Sequence, residues 1–129
     1  MLAVWKEWNL NKILQIAYEK GIVMSGVSAG AICWFDKGIT DSFAKELNII
    51  KCLGIVNGIA CPHFDEEKER EPYVNEVVNN EIIKSCICIE GNCALHIKNN
   101  IDYSSIDFGN GRKCFRVFKE NNTLKKEIL

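Results

Sequence analysis

The stretch from Gly26 to Gly30 reads Gly-Val-Ser-Ala-Gly, which fits the G-x-S-x-G pattern of a serine nucleophile. This pattern puts the serine in a strained turn between a strand and a helix. The context favours such a turn, because "IVMSG" predicts a strand before Ser28 and "AGAICWF" predicts a buried helix after it. We expect Ser28 to be a nucleophile and the Ala29 N–H to be one donor of an oxyanion hole. Small residues at Gly26 and Gly30 would let strand and helix approach closely; alternatively, they only permit a tight corner.

A serine hydroxyl needs a base to become a good nucleophile, and the sequence offers only two histidines. His63 follows the strand-like run "GIVNGIACP", so we expect it at the C-terminal edge of a sheet, where Ser28 also lies. His96 lies within the alternating run "CALHIKN", where a histidine is more often a packing or surface residue. Position therefore favours His63 as the base.

A catalytic imidazole also needs a carboxylate that fixes its tautomer and stabilises its charged form. Glu90 ends the apolar run "SCICIE" at the tip of another predicted strand, and Asp41 follows the predicted helix and could fold back over the same edge. The alternatives are a helix N-cap for Asp41 and a turn residue for Glu90. The position at a strand end favours Glu90, and both carboxylates remain candidates.

Helix-type and strand-type runs alternate along the chain. Helical spacing is found in "LNKILQIAYEK", in the segment after Ser28 and in "DEEKEREPYVNEVVNNEII", where Pro72 predicts a kink or a start later than Asp65. Strands are predicted before Ser28, before His63, before Glu90, beyond the Gly91-Asn92 turn and in "GRKCFRVFKENN", followed by a tail, "TLKKEIL". The order predicts an α/β fold, with a mostly parallel sheet flanked by helices and a C-terminal antiparallel extension.

The chain of 129 residues is 47% hydrophobic and has 16 basic and 17 acidic residues, for a net charge of -1. This composition predicts one domain over residues 1–129, with no basic surface for nucleic acid and no membrane anchor. Charges at Lys6 and Glu7 interrupt any leader-like apolar run, so we expect a cytoplasmic protein. The seven cysteines include no C-x-x-C pair, which argues against a zinc site and favours reduced, mostly buried thiols; no cofactor is predicted.

Three segments together resemble the peptidase E family of serine peptidases, relatives of aspartyl dipeptidase and cyanophycinase. They are "GVSAGAICWF", "CPHF" and "IEGNCALHI", in the family's order. The resemblance implies a sheet like that of class I glutamine amidotransferases and hydrolysis of small peptides through an acyl-enzyme, with Ser28 as nucleophile and His63 as base. Glu90 and Asp41 both match positions given the third catalytic role. Because related dipeptidases prefer an acidic N-terminal residue, Arg70 is a candidate for binding the substrate carboxylate, the alternative being a solvated surface arginine.

Family members also carry an N-terminal half, with strands that pair beside the elbow strand and a glycine-rich loop that supplies the second oxyanion donor. The chain therefore resembles the C-terminal part of a longer enzyme, and we expect self-association or binding of a missing N-terminal half. The alternative function is a weakly active or inactive remnant that binds a partner through its sheet edge. An α/β hydrolase with the order Ser28, Asp41, His63 is a weaker alternative, because the chain is too short for that fold.

Overall fold

The computed structural model describes residues 1–42 and 45–129, which form four helices and eight strands. The helices are α1 (Leu2–Glu7), α2 (Leu10–Glu19), α3 (Ala29–Ile32) and α4 (Arg70–Asn79). The strands are β1 (Phe35–Thr40), β2 (Asn48–Lys51), β3 (Val56–Cys61), β4 (Ser85–Ile89), β5 (Cys93–Lys98), β6 (Asp102–Asp107), β7 (Cys114–Glu120) and β8 (Thr123–Ile128).

Six strands form one mixed sheet in the order β2-β1-β3-β4-β7-β8. The central pairs β1–β3 and β3–β4 are parallel, with Ala60 opposite Ile87, and the pairs toward both edges are antiparallel. Strands β5 and β6 form a separate antiparallel hairpin. The α/β class is thus confirmed with a mixed sheet, whose parallel centre brings the ends of β3 and β4 to one edge.

Each face of the sheet has its own apolar core. One core is formed where α4 lies against the sheet, and its members include Ile39, Cys61, Val74, Val78, Cys86 and Val117. The other lies under α3 and contains Ile32, Phe35, Val56, Ala60 and Ile87, and the half-buried side chains of Leu95 and Tyr103 on the β5–β6 hairpin pack against it. Since both faces are covered, β3 and β4 are apolar along most of their length.

The sequence prediction was wrong in two places around the elbow. The segment 22–26 forms no strand in the described structure, because no other strand lies beside it to accept its hydrogen bonds. Helix α3 has only four residues, and the apolar run that predicted a longer helix continues into β1. Periodicity alone cannot assign a short apolar run to a helix or a strand. Here the second part of the run forms a strand because it pairs with β2 and β3.

Other predictions agree more closely. Helix α4 begins at Arg70, so Pro72 falls in its first turn, where a missing N–H breaks no helical hydrogen bond. The C-terminal tail packs as β8, which pairs with β7 from Glu120 opposite Thr123 to Phe115 opposite Ile128. One further prediction was wrong: the mixed polarity of "DSFAKELNIIKCLG" predicts a loop or short helix, whereas the segment contains strand β2; residues 43 and 44 lie outside the described residues.

The N-terminal region is packed differently from the sheet. Every residue of α1 and α2 is exposed or half-buried, and α2 presents the apolar side chains of Ile13 and Ile16 to solvent with exposures of 60% and 50%. Within residues 1–42 and 45–129, no helix has both the length and the apolar character needed to cross a bilayer. The sheet and α4 therefore provide the buried core, and the first 27 residues lie at its periphery.

Candidate active site

Ser28 lies at a sharp turn directly before α3. Its backbone angles, φ 54° and ψ −119°, are unusual for a residue with a side chain and match the strained turn expected for a nucleophile. The turn requires glycine at position 26, because a Cβ there would overlap the carbonyl oxygen of Gly30. A Cβ on Gly30 would meet open space. Steric contact therefore requires glycine at position 26 but not at position 30.

His63 lies beyond the end of β3, after Pro62, also with a positive φ of 53°. Its Nε2 atom is 2.9 Å from the Ser28 Oγ atom, although the two residues are 35 positions apart in the chain. The His63 side chain is 31% exposed, so the imidazole is open to solvent on one side. The structure therefore brings the two residues predicted as nucleophile and base into hydrogen-bond contact at one edge of the sheet.

The other imidazole nitrogen of His63 contacts Glu66. The Glu66 Oε2 atom lies 2.5 Å from His63 Nδ1. Since an ionised carboxylate can only accept a hydrogen bond, this contact assigns the proton to Nδ1, which leaves Nε2 free to accept the Ser28 hydroxyl proton. This is the tautomer that a general base needs toward a serine. Ser28, His63 and Glu66 therefore form a continuous hydrogen-bonded series.

The two carboxylates that the sequence favoured for this role are placed elsewhere. Glu90 accepts a hydrogen bond from the backbone N–H of Lys113 at 3.0 Å and so joins the end of β4 to the start of β7. Asp41 lies 3.7 Å from the Arg70 guanidinium, and its side chain is 56% exposed. His63 Nδ1 contacts Glu66 instead, because the turn after His63 carries that carboxylate back to the imidazole.

Arg70 is neither a solvated surface residue nor an open site for a substrate carboxylate. It is 3% exposed, and its Nε and Nη2 atoms lie 2.7 and 2.6 Å from a Glu67 oxygen. Its Nη1 atom donates to the Ile39 carbonyl at 3.3 Å. These contacts and that of Asp41 occupy the guanidinium, so the substrate-binding assignment is corrected to a structural one.

The remaining candidates are placed as follows. The N–H of Ala29 is at the first position of α3, where a helix N–H has no intrahelical acceptor, and it is next to the Ser28 hydroxyl in the chain. His96 is exposed on β5, opposite Ser104, in agreement with its expected surface role. Among the residues that the structure describes, no group of three or more His, Cys, Asp or Glu side chains is arranged to hold a metal ion.

The thiols are unlike activated nucleophiles. Six of the seven cysteines are buried and Cys93 is half-buried, which confirms the expectation of mostly buried thiols. Burial raises the pKa of Cys33 and of Cys52 to about 11, and that of Cys61 and of Cys114 to about 12. These four groups therefore stay protonated at neutral pH, and Ser28 is the better nucleophile by its placement.

Glu66 is the functional candidate that the sequence interpretation missed. It is the middle one of three consecutive carboxylates, from Asp65 to Glu67, in a stretch that was assigned to the start of a helix. A carboxylate three residues after a candidate base is within reach if the chain turns there, and the positive φ of His63 produces such a turn. The spacing was the available signal, but it does not distinguish Glu66 from its neighbours.

Comparison with known proteins shows the family of the chain. The model of peptidase family S51 matches residues 1–101, which contain Ser28, His63 and Glu66. The chain belongs to peptidase family S51. Its sequence is also 41% identical to an uncharacterized peptidase, YgaJ, of Bacillus subtilis strain 168, over 117 residues that make up 91% of this chain and 50% of the relative. The chain thus spans about half the length of the curated relative that it matches.

Membership of S51 supports a peptidase, and hence a hydrolase, at the level of the family. It also agrees with the family resemblance carried by the segments around Ser28, His63 and Glu90. The matched region ends at residue 101, before β6, and so includes the turn that carries Ser28 and strand β3, which precedes the His63 loop.

Proposed function

We propose that this chain contains the nucleophile and base of a serine peptidase, with Ser28 attacking the peptide bond and Glu66 orienting His63. The observation that carries the proposal is the pair of contacts on one imidazole, 2.9 Å from Nε2 to the Ser28 hydroxyl and 2.5 Å from Nδ1 to the Glu66 carboxylate. The strained backbone of Ser28 supports the same role, since such strain persists where a site requires it.

The chemistry would proceed in two halves. Ser28 Oγ attacks the carbonyl carbon while His63 Nε2 takes the hydroxyl proton, and the charged imidazolium is stabilised by Glu66. The C–N bond then breaks as His63 returns the proton to the leaving amine, which leaves an ester on Ser28. Water, deprotonated by His63, attacks this ester and releases the acid, and the proton returns to Ser28.

The oxyanion formed in both halves would be held by the N–H of Ala29. A second donor is needed for a complete oxyanion hole, and the loss of one such donor costs about 3 kcal/mol in the transition state. If the second donor comes from another polypeptide segment, these 129 residues alone react slowly even when they are correctly folded. A slow reaction at Ser28 is therefore compatible with the proposal, whereas a reaction at a different serine is not.

We propose that the substrate is a short peptide and that the activity is that of a dipeptidase-like exopeptidase. This part of the proposal is supported by the resemblance to peptidase E and by S51 membership. Since Arg70 is buried and bound by Glu67, a preference for acidic peptides would need a different cation. We therefore propose that Arg70 does not determine which peptide residue the site prefers.

A fluorophosphonate probe tests the nucleophile, because it forms a bond with an activated serine. We expect mass spectrometry of the labelled protein to locate the probe on Ser28, and Ser28→Ala to abolish labelling. Ser25→Ala is the matched control, since Ser25 is an exposed serine three residues away, and it should label normally. Labelling at Ser25, or undiminished labelling of Ser28→Ala, contradicts the proposal.

A second candidate function, binding of a partner chain, is favoured by the segment before Ser28. Ile22, Val23 and Val27 are 57%, 88% and 84% exposed, and three apolar side chains this close together favour association. We expect the sedimentation coefficient to rise with protein concentration and Val23→Glu to reduce this rise. Lys20→Glu, which adds negative charge without removing an apolar group, should not. A monomer at all concentrations argues against self-association by this segment.

A further inference from the structure

Two of the seven cysteine thiols touch each other, and they belong to different sheets. The Sγ atom of Cys93, at the start of β5 in the hairpin, lies 3.2 Å from the Sγ atom of Cys114, at the start of β7 in the six-stranded sheet. The two residues are 21 positions apart in the chain. Since the bond of a disulfide is about 2.0 Å long, the two sulfur atoms need to approach by only roughly 1 Å to be joined.

Hydrogen bonds that do not involve sulfur hold the backbone on both sides of this contact. The N–H of Cys114 donates to the Ser105 hydroxyl on β6 at 2.7 Å. The N–H of Phe108 donates at 3.0 Å to the carbonyl of Asn92, the residue before Cys93. The two thiols are therefore held together by the fold, which gives each a high effective concentration toward the other.

The connection between β6 and β7 brings the chain back to Cys93. Asp107, the last residue of β6, lies opposite Cys93 at the open end of the hairpin. Its carboxylate accepts three backbone N–H groups at 2.8, 3.0 and 3.3 Å, those of Gly109, Gly111 and Arg112. The connection therefore leaves the hairpin beside Cys93 and turns back to enter the large sheet at Cys114.

The two thiols differ in their access to solvent. Cys93 is half-buried, whereas Cys114 is 0% exposed. Burial raises the pKa of the Cys114 thiol to about 12. Burial also raises the pKa of the Cys93 thiol, but its hydrogen bond with Cys114 acts in the opposite direction. Because a thiolate is the attacking species, Cys93 is the thiol that meets a dissolved oxidant first, and Cys114 is placed to complete the bond.

The other five cysteines are poorer candidates. All five are buried, and their thiols contact the backbone carbonyl oxygen of a residue at most three positions away: Cys33, Cys52, Cys61, Cys86 and Cys88. A dissolved oxidant therefore reaches Cys93 in preference to any of them.

We propose that Cys93 and Cys114 form a reversible disulfide bond by exchange with a low-molecular-weight disulfide such as oxidised glutathione. The Cys93 thiolate attacks one sulfur of that disulfide, which releases one thiol and leaves a mixed disulfide on Cys93. Cys114 then loses its proton and attacks the Cys93 sulfur, which releases the second thiol. The protein gives up two electrons and two protons, and the two released thiols carry them away. The new bond joins the β5–β6 hairpin to the six-stranded sheet, and its formation does not depend on the proposed function.

Peptide mapping of the full chain tests the bond. The folded protein is incubated with oxidised glutathione, the remaining thiols are blocked in urea, and the protein is digested with trypsin without reduction. We expect peptide 85–98, which contains Cys86, Cys88 and Cys93, to be linked to peptide 114–116, whose one cysteine is Cys114. Fragmentation of the linked pair should assign the bond to Cys93. Cys93→Ser should abolish the link, whereas the matched control Cys52→Ser, which removes a buried thiol that contacts the Ile50 carbonyl, should retain it.

Thermal unfolding measures the consequence of the bond for stability. A bond between residues 21 positions apart restricts the unfolded chain, so the oxidised wild type should unfold roughly 10 °C above the reduced protein. Dithiothreitol should return the midpoint to that of the reduced protein. Cys114→Ala, which is an independent variant if Cys93→Ser does not fold, should have the same midpoint before and after incubation with oxidised glutathione.

Three results would overturn the disulfide. They are a protein that keeps all its thiols free after the incubation, a mixed disulfide that stays on Cys93, and a link from Cys93 to any cysteine other than Cys114. An oxidised protein with the midpoint of the reduced one would show that the bond does not join the hairpin to the sheet. A linked pair in a protein whose Ser28 is not labelled by the fluorophosphonate probe would support the disulfide while contradicting the serine peptidase proposal.

Discussion

The two residues that meet at the candidate site come from regions with different packing. His63 follows β3 in the centre of the sheet, and its loop is tied to β4 and α4 by Asp65 and Glu67. Ser28 follows a segment in which Val23 and Val27 are largely exposed. The base is therefore held by a buried core, whereas the nucleophile depends on a local turn and on its contact with His63. The comparison indicates that stability and reactivity can be changed separately in this molecule.

The largest expected difference is in stability. Val78 is 1% exposed in the core under α4, whereas Val23 is 88% exposed. We expect Val78→Asp to lower the free energy of unfolding by about 4 kcal/mol or more, because it buries an unpaired charge, and Val23→Asp to change it by less than about 0.5 kcal/mol. Urea unfolding measures both. A loss from Val23→Asp as large as that from Val78→Asp would place the N-terminal segment within the same core.

The second prediction concerns reactivity without loss of the fold. Gly26→Ala should slow labelling of Ser28 by about 100-fold, because the new methyl group displaces the turn against the Gly30 carbonyl. Its thermal midpoint should stay near that of the wild type, since the turn lies outside both apolar cores. Gly30→Ala, whose methyl group meets open space, is the control and should label nearly normally. Equal rates in the two variants would disprove this description of the elbow.

The smallest expected effect is a loss of stability at alkaline pH that arises from a thiol in the sheet, Cys61 on β3. Burial raises the pKa of Cys61 from 9.0 to about 12, so the folded state retains this proton more strongly than the unfolded chain. The contribution of this thiol to the free energy of unfolding is therefore fully present below pH 9 and is lost as the pH rises toward 12. The loss from this thiol is about 1.4 kcal/mol at pH 10.

Thermal unfolding of wild-type protein and Cys61→Ser between pH 8 and 10 measures this effect. The variant should lose less stability over that interval, because it lacks the titrating thiol. The N-terminal segment, residues 1–27, contains no cysteine, so it cannot contribute to the difference. Identical losses in the two proteins would mean that the Cys61 thiol titrates equally in the folded and unfolded states.

Much of the fold could be predicted from local patterns. The helical spacing in α2 and the apolar runs of β3, β4 and β7 follow from periodicity. The pairing of Ser28 with His63 was predicted from a strand before Ser28 that the described structure does not contain, although the two side chains do meet. Strand β1 was missed because its apolar start continues the run after Ser28, and only pairing with β2 and β3 distinguishes strand from helix. Strand β8 likewise depends on a neighbour that is not visible in its own sequence.

The partner of the base could not be predicted for a different reason. Glu90 and Asp41 were favoured because they follow predicted elements, but their orientations depend on Lys113 and Arg70, which are distant in the chain. Glu66 is selected by the backbone angle of His63 and by the space beside Gly91. Neither property is encoded in residue type and spacing alone.

The most direct test of the central claim, that Glu66 orients the base for Ser28, is the rate of fluorophosphonate labelling at Ser28 in three carboxylate variants. Glu66→Gln should reduce the rate roughly 100-fold or more, because general-base catalysis contributes about 10² to 10⁴ and the carboxylate supports it. Glu90→Gln and Asp41→Asn, whose carboxylates contact Lys113 and Arg70, should slow labelling by at most about fivefold. A labelling rate in Glu66→Gln equal to that of the wild type, together with a large decrease of the rate in Glu90→Gln or Asp41→Asn, would contradict the account.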